Sequence, residues 1–286
     1  MKRWLAIFLA ALCALSMAWA DPVSVVDDDG HRLTLAAPAR RIVSIAPHLT
    51  ELLFAAGAGE RVVAVSAWSD HPAAAKSLPR IGDAAMLDLE RIVALQPDLV
   101  IVWKDGSSAQ QLQRLAVAGL PIYASDARSL AHIGVTLRRL GHLAGTDAVA
   151  EARASEFEAR LAALRAGYAQ RRPLAAFYQI WQQPLMTVNG RHVISEALQV
   201  CGARNVFGDL KLATPTVDVE AVLLARPDVI VTGRAGSDGP DPLARWRSLK
   251  SLHAALVTVD PDTLNRASDR IVQGIEELCV KLDRLR

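Results

Sequence analysis

The sequence predicts an α/β protein of two Rossmann-like lobes, each built on a mostly parallel sheet, joined by one long helix with a cleft between the lobes. Three observations carry that expectation. Short buried-strand patterns alternate with amphipathic helical patterns through both halves of the chain. One unit, LDLERIVALQPDLVIVW (87–103), recurs as VDVEAVLLARPDVIVTG (217–233). The alternation stops only once, for a single helical pattern over 147–170. The resulting division is a signal segment over 1–20, an N-terminal lobe over 21–145, a connecting helix over 146–171 and a C-terminal lobe over 172–286.

The elements follow in order. Lys2 and Arg3 precede an apolar run from Trp4 to Leu15 and then Ala18-Trp19-Ala20, the pattern of a cleaved export signal ending before Asp21. Cys13 lacks the small residue expected before a lipid-modified cysteine, so a soluble exported chain is expected. VSVVDDDGHRLTL (23–35) alternates about an Asp-Gly turn and predicts a β-hairpin. RRIVSIAP then predicts a buried strand, TELLFAAGAG a helix from Thr50 to glycine, and RVVAVSAW another strand, followed by the polar loop SDHPAAAKSLPRIGD. After the first repeated unit, AQQLQRLAVAGLPIYAS gives a helix and a strand.

The helix over 147–170 carries Phe157, Leu161, Leu164 and Tyr168 on one face and would be ~35 Å long at 1.5 Å per residue. Pro173 ends it. LAAFYQIW opens the second series, followed by the helix ISEALQVCG, the second repeated unit, the strand LVTVD and a last helix from about Ser268.

Composition removes some classes of function. A formal net charge of +2 gives no basic face for nucleic acid. After signal removal two cysteines remain, Cys201 and Cys279, in a chain bound for an oxidising compartment. They are either two separate buried thiols or a disulfide, and the disulfide is expected; closing a loop of that size stabilises a fold by ~4 kcal/mol in the chain-entropy picture.

In open α/β sheets ligands bind beyond the carboxyl ends of the strands. Trp68, Trp103 and Trp181 end the runs VVAVSAW, LVIVW and AAFYQIW. Each would suit a cap on its own lobe's core; together, at equivalent strand ends, they favour a shared aromatic crevice for a large, flat ligand. The loop VDPDTLNRAS (259–268) leaves the last strand at the same level and offers Asp262, Asn265 and Arg266, groups that would equally serve as a helix cap and solvated charges. Asp88 and Asp218 read as N-caps, which puts Glu90 and Glu220 in the first turns of their helices. The helix dipole alone would account for these acids, but their matched placement also suits gripping a two-fold partner.

No catalytic or metal constellation is expected. GAGERVV has glycines that end a helix rather than begin one, GRAGSDGPDP lacks the lysine and serine of a phosphate loop, and His48, His71 and His192 have no paired spacing.

RIVSIAPHLTELLFAAG, SAWSDHP, LDLERIVALQPDLVIVW, CGARNVF and NRASDRI together resemble the helical-backbone substrate-binding proteins for corrinoids, haem and iron-siderophores, most closely their cobalamin-binding branch. The resemblance runs from about Arg41 to the C-terminus. It implies a periplasmic receptor, monomeric and without a cofactor, that captures cobalamin or another corrinoid. It would deliver that ligand to an inner-membrane ABC permease driven by an ATPase. It further implies that Glu90 and Glu220 engage arginines of the permease and that Cys201 pairs with Cys279. The ligand would be held by Trp68 and the loop Asp262, Thr263, Leu264, Asn265 and Arg266, to which the strand-end pattern, rather than the resemblance, adds Trp103 and Trp181 as further aromatic walls.

The chain departs from the pattern at Ala84 and Thr214, where tryptophans are implied, and at Met186, where phenylalanine is. Each missing aromatic removes ~1 kcal/mol of stacking, which Trp181 and the adaptable Met186 would offset. The alternatives are a receptor of the same fold for haem or a ferric siderophore, or an exported enzyme using the cleft.

Overall fold

The computed structural model describes residues 21–286 apart from 84, 85, 127 and 235–238, so the signal segment lies outside the described residues. The chain begins with the expected hairpin, β1 (Val23–Val26) against β2 (Arg32–Leu35), antiparallel and in register from Val23↔Leu35 to Val26↔Arg32. The first sheet contains β3 (Ile42–Ser44), β4 (Val62–Val65), β5 (Leu99–Trp103) and β6 (Ile122–Ser125), in the order β4-β3-β5-β6. The second contains β7 (Leu174–Gln179), β10 (Ala203–Asn205), β11 (Val229–Gly233) and β12 (Ala255–Val259), in the order β10-β7-β11-β12. All pairings within both sheets are parallel, so the two lobes share one topology. A two-stranded hairpin, β8 (Trp181–Gln182) and β9 (Leu185–Met186), projects after β7.

The repeated unit has the same anatomy in each lobe. Asp88 caps α2 (Leu89–Ala94), its Oδ1 accepting from the Arg91 amide at 2.9 Å. Asp218 caps α7 (Val219–Ala225), its Oδ1 accepting from the Ala221 amide at 2.6 Å. Just before the proline, Gln96 and Arg226 each adopt a left-handed φ, 47° and 46°. The aspartate of each Pro-Asp turn then ties the next strand to its neighbour. Asp98 accepts from the Arg40 and Arg41 amides (2.8 and 2.9 Å), and Asp228 accepts from the Ala175 amide (2.7 Å). A carboxylate that satisfies amides at a strand entrance fixes where pairing begins, so the repeat is structural as well as compositional.

The other helices are α1 (Pro47–Ala55), α3 (Ala109–Val117), α4 (Leu130–Ala144), α5 (Asp147–Tyr168), α6 (Val193–Val200), α8 (Ala244–Arg247), α9 (Pro261–Leu264) and α10 (Ile271–Asp283). Helix α1 begins three residues before the expected Thr50, because Pro47 fits the first helical position. Several elements were not expected: α4, the small hairpin of β8 and β9, the edge strand β10 and the short helices α8 and α9.

The long α5 presents Ala150, Ala154, Phe157 and Leu161 to the core, with Leu164 and Tyr168 packed at its margin. It packs closely on α4, where a Cβ at Gly141 would lie 2.2 Å from that of Ala150. Charges bolt α5 to both lobes. Arg138 on α4 bonds Glu151 and Glu158, whereas Arg153 and Arg160 reach Asp269 and Glu276 beside and on α10. One continuous apolar cluster runs from Leu49 and Tyr123 through Leu137, Phe157 and Leu161 to Tyr178 and Ile275. Smaller clusters about Val100 and Ile92, and about Phe177 and Trp246, cover the opposite sheet faces. The disulfide Cys201–Cys279 joins the end of α6 to α10 across 78 residues.

Candidate functional site

In a parallel sheet every loop after a strand emerges at one edge, and the two carboxyl edges here face each other. The contact that establishes this is ionic. Glu51, on α1 after β3, is 2% exposed, and its carboxylate is held by the opposite lobe. Arg266 Nη1 donates to Oε1 at 2.9 Å, Arg270 Nη1 donates to the same oxygen at 3.1 Å, and Ser268 Oγ donates to Oε2 at 2.5 Å. Arg266 Nη1 also donates to Asp70 Oδ1 of the first lobe at 2.8 Å, and its Nη2 to Asp262 Oδ1 at 2.9 Å. Burial pulls the Asp70 carboxyl upward, but the Arg266 hydrogen bond and charge outweigh it and hold the group below its ordinary value.

Of these groups only Asp262 and Arg266 were legible from the sequence; Glu51, Asp70, Ser268 and Arg270 were missed. The available signal was Glu51 itself, an acid between Leu49 and the pair Leu52 and Leu53 on a helix face that is otherwise core.

The aromatic candidates stand at these edges. Trp68 follows β4, is 77% exposed and has φ 64°, an unusual conformation for a bulky residue that costs ~1 kcal/mol or more unless its surroundings hold it. They do so here. Ser66 and Ser69, both buried, bond each other at 3.2 Å; Thr50 Oγ1 donates to Ser69 Oγ; and Arg80 Nη1 donates to the Ser66 and Ser69 carbonyls. Trp103 ends β5, 37% exposed, and meets the His48 ring edge-on at 5.2 Å. Its indole fills the space that a side chain at Gly106 would need, where a Cβ would lie 1.8 Å from the ring.

Trp181 is 61% exposed and opens β8 rather than ending β7 as the sequence suggested. It is paired across the small hairpin with Met186, which puts the two side chains on one face. The Met186 strand is in turn bridged to Thr216, beside Thr214.

In the loop after β12, Asp262 and Asn265 are exposed, whereas Thr263 and Leu264 are buried. Asn265 Oδ1 accepts from the Tyr178 hydroxyl at 2.5 Å, which orients the amide; burial pushes that hydroxyl upward in pKa. The floor of the gap carries His48, 7% exposed, whose Nε2 has no hydrogen-bond partner among the described residues. Burial first, and the Arg266 charge second, lower its pKa to about 4.

Glu90 and Glu220 are exposed and make no ion pair among the described residues. Each stands at the start of a helix that runs back from the carboxyl edge of its own sheet. Among the described residues no three His, Cys, Asp or Glu side chains cluster to hold a metal, and no helix is long and apolar enough to cross a membrane. Ala84 lies outside the described residues.

Comparison with known proteins places the chain. A family model described as periplasmic binding protein matches residues 42–256. The vitamin B12-binding protein of Vibrio campbellii is 35% identical over 253 residues, 87% of this chain and 91% of that protein. Among solved structures, the periplasmic vitamin B12-binding protein of Vibrio cholerae superposes with a TM-score of 0.80 at 34% identity, covering 87% of this chain and 98% of that one. The periplasmic heme-binding protein RhuT of Roseiflexus shares the fold at a TM-score of 0.73 and 24% identity, covering 86% and 99%.

The buried imidazole on the cleft floor makes a measurable contribution to pH dependence. His48 takes up its proton near pH 6.5 when unfolded and near 4 when folded, so acid favours the unfolded chain and stability is lost as pH falls through that window. Urea unfolding at pH 6.5 and pH 4.5 should show wild type losing up to ~1.4 kcal/mol per pH unit more than His48→Gln. Equal losses in the two proteins would contradict a neutral buried His48.

Proposed function

Because this chain belongs to the periplasmic binding protein family, we propose that it is the receptor of an ABC importer for cobalamin or a closely related corrinoid. The observation that carries the ligand choice is the likeness to vitamin B12-binding relatives, 35% identity over nearly the whole chain against 24% for the heme-binding structure. The site chemistry supports it. A corrin offers a broad apolar ring for Trp68, Trp103, Trp181 and Met186, and a rim of amides for the polar loop Asp262, Asn265 and Arg266. Thr263 and Leu264 shape that loop from beneath.

Capture needs no bond-breaking, and the protein acts as a binder rather than an enzyme, without a cofactor of its own. The ligand enters the gap, the indole faces displace water from the ring, and the loop donors replace the water lost from the amides. The chain is exported to the periplasm by cleavage before Asp21 and works as a monomer. It docks on the inner-membrane permease through Glu90 and Glu220, one on each lobe. A permease arginine that shuts water out of each contact makes it a charge-assisted bond able to pull on the lobes separately.

Calorimetric titration of the purified protein with cyanocobalamin should give one site per chain, with affinity falling at least ~tenfold, or 1.4 kcal/mol, in Trp68→Ala. No heat of binding with cyanocobalamin, together with a Soret shift on adding hemin, would transfer the reading to haem. For docking, the Glu90→Ala/Glu220→Ala double variant should bind ligand as wild type does yet abolish uptake in vesicles carrying the permease and its ATPase; undiminished uptake would rule that role out.

A further inference from the structure

The arginine that the resemblance assigns to the ligand is already surrounded by acids. Arg266 makes three hydrogen bonds to three different carboxylates, Glu51 at 2.9 Å, Asp70 at 2.8 Å and Asp262 at 2.9 Å. With Arg270 bound to Glu51 as well, three carboxylates face two guanidinium groups. The acids differ in setting. Glu51 is sealed in, with a side chain 1% exposed, and belongs to the join between the lobes. Asp70, at 48%, is open to the gap, two residues from Trp68 in the turn that displays that indole.

Arg80, behind the same turn, donates to the Ser66 and Ser69 carbonyls and so is turned away from the gap. Lys76 adds its charge to the attraction on Asp70.

A guanidinium neutralised in this way is a poor receptor for an anion. A carboxylate on an incoming ligand reaches the guanidinium donors that remain only by lying beside Asp70 and Asp262, so the pairing it gains is offset by like-charge repulsion. A neutral amide has no such conflict. Its carbonyl accepts from guanidinium donors that the three acids leave free, and its NH₂ donates to the acids themselves.

We propose that Asp70 is a selectivity residue: by holding Arg266 from across the gap, it closes the cation of the site to anionic ring systems and keeps the cleft for rings edged with neutral amides. This rests on the reading of the chain as a corrinoid receptor and deepens it. It accounts for discrimination against carboxylate-bearing rings that would match the aromatic walls equally well, a task that apolar surfaces cannot perform because they do not sense charge.

A pair of ligands with one ring and two kinds of edge tests it. Dicyanocobinamide carries amides where dicyanocobyrinic acid carries carboxylates. Binding of each is measured by tryptophan quenching to wild type, Asp70→Asn and Asp70→Ser, with Glu60→Gln, at the far edge of the first sheet, as a charge-matched control. Wild type should favour the amide ring, and both Asp70 variants should shift the ratio of the two dissociation constants toward the acid by at least about tenfold, or 1.4 kcal/mol. The control should keep the wild-type ratio.

The proposal is overturned if wild type binds the amide ring and the Asp70 ratios stay within about threefold of it, or if Glu60→Gln shifts the ratio equally. If wild type binds neither ring, the corrinoid reading itself fails and takes this inference with it.

Discussion

The structure depends on one buried carboxylate. Glu51 sits in the first turns of a helix of the N-terminal lobe, yet every group that satisfies it, Arg266, Arg270 and Ser268, comes from the C-terminal lobe. Burying a carboxylate is unfavourable unless it is fully paired, and removing one partner of a buried pair typically costs ~3–5 kcal/mol, so a displaced lobe would leave charge stranded on both sides. That asymmetry makes the relation between the lobes specific, beyond what apolar packing along α5 would enforce. It also places the carboxyl edges of the two sheets opposite each other, with the three tryptophans and the loop after β12 standing at those edges.

Two similar lobes explain why so much of the fold was legible. The signals are local: Asp88 and Asp218 cap helices, Pro97 and Pro227 end them, and Asp98 and Asp228 tie the following strands. Each needs only a few residues of sequence to be recognised. Helix α4 was missed because its Gly134 and Gly141 weaken a helical reading, although Gly141 is there to admit Ala150. Strand β10 escaped notice because three residues carry too little periodicity.

The site was legible in part, for a physical reason. Trp68, Trp103 and Trp181 could be picked out because a large aromatic at the end of a strand run is conspicuous in one dimension. Their backbone settings could not be read: the left-handed turn at Trp68 and the transfer of Trp181 to its own hairpin depend on contacts with distant residues. Glu51, Asp70 and Arg270 were invisible for a stronger reason. Their partners lie about 200 residues away, from Glu51 to Arg266 and Arg270 and from Asp70 to Arg266, and no local pattern connects them. The same network that joins the lobes also balances the charge of Arg266, so the join and the proposed selectivity rest on one set of side chains.

The most direct measurement of the central claim is the distance between the lobes. Spin labels placed on noncanonical residues at Val117 and Leu224, both exposed and one on each lobe, leave Cys201–Cys279 intact and report that distance by pulsed electron resonance. Wild type should give one narrow distribution, and Glu51→Gln a longer and clearly broader one. Superimposable distributions would mean that helix α5 and its packing hold the lobes unaided, and that the buried carboxylate is not what fixes them.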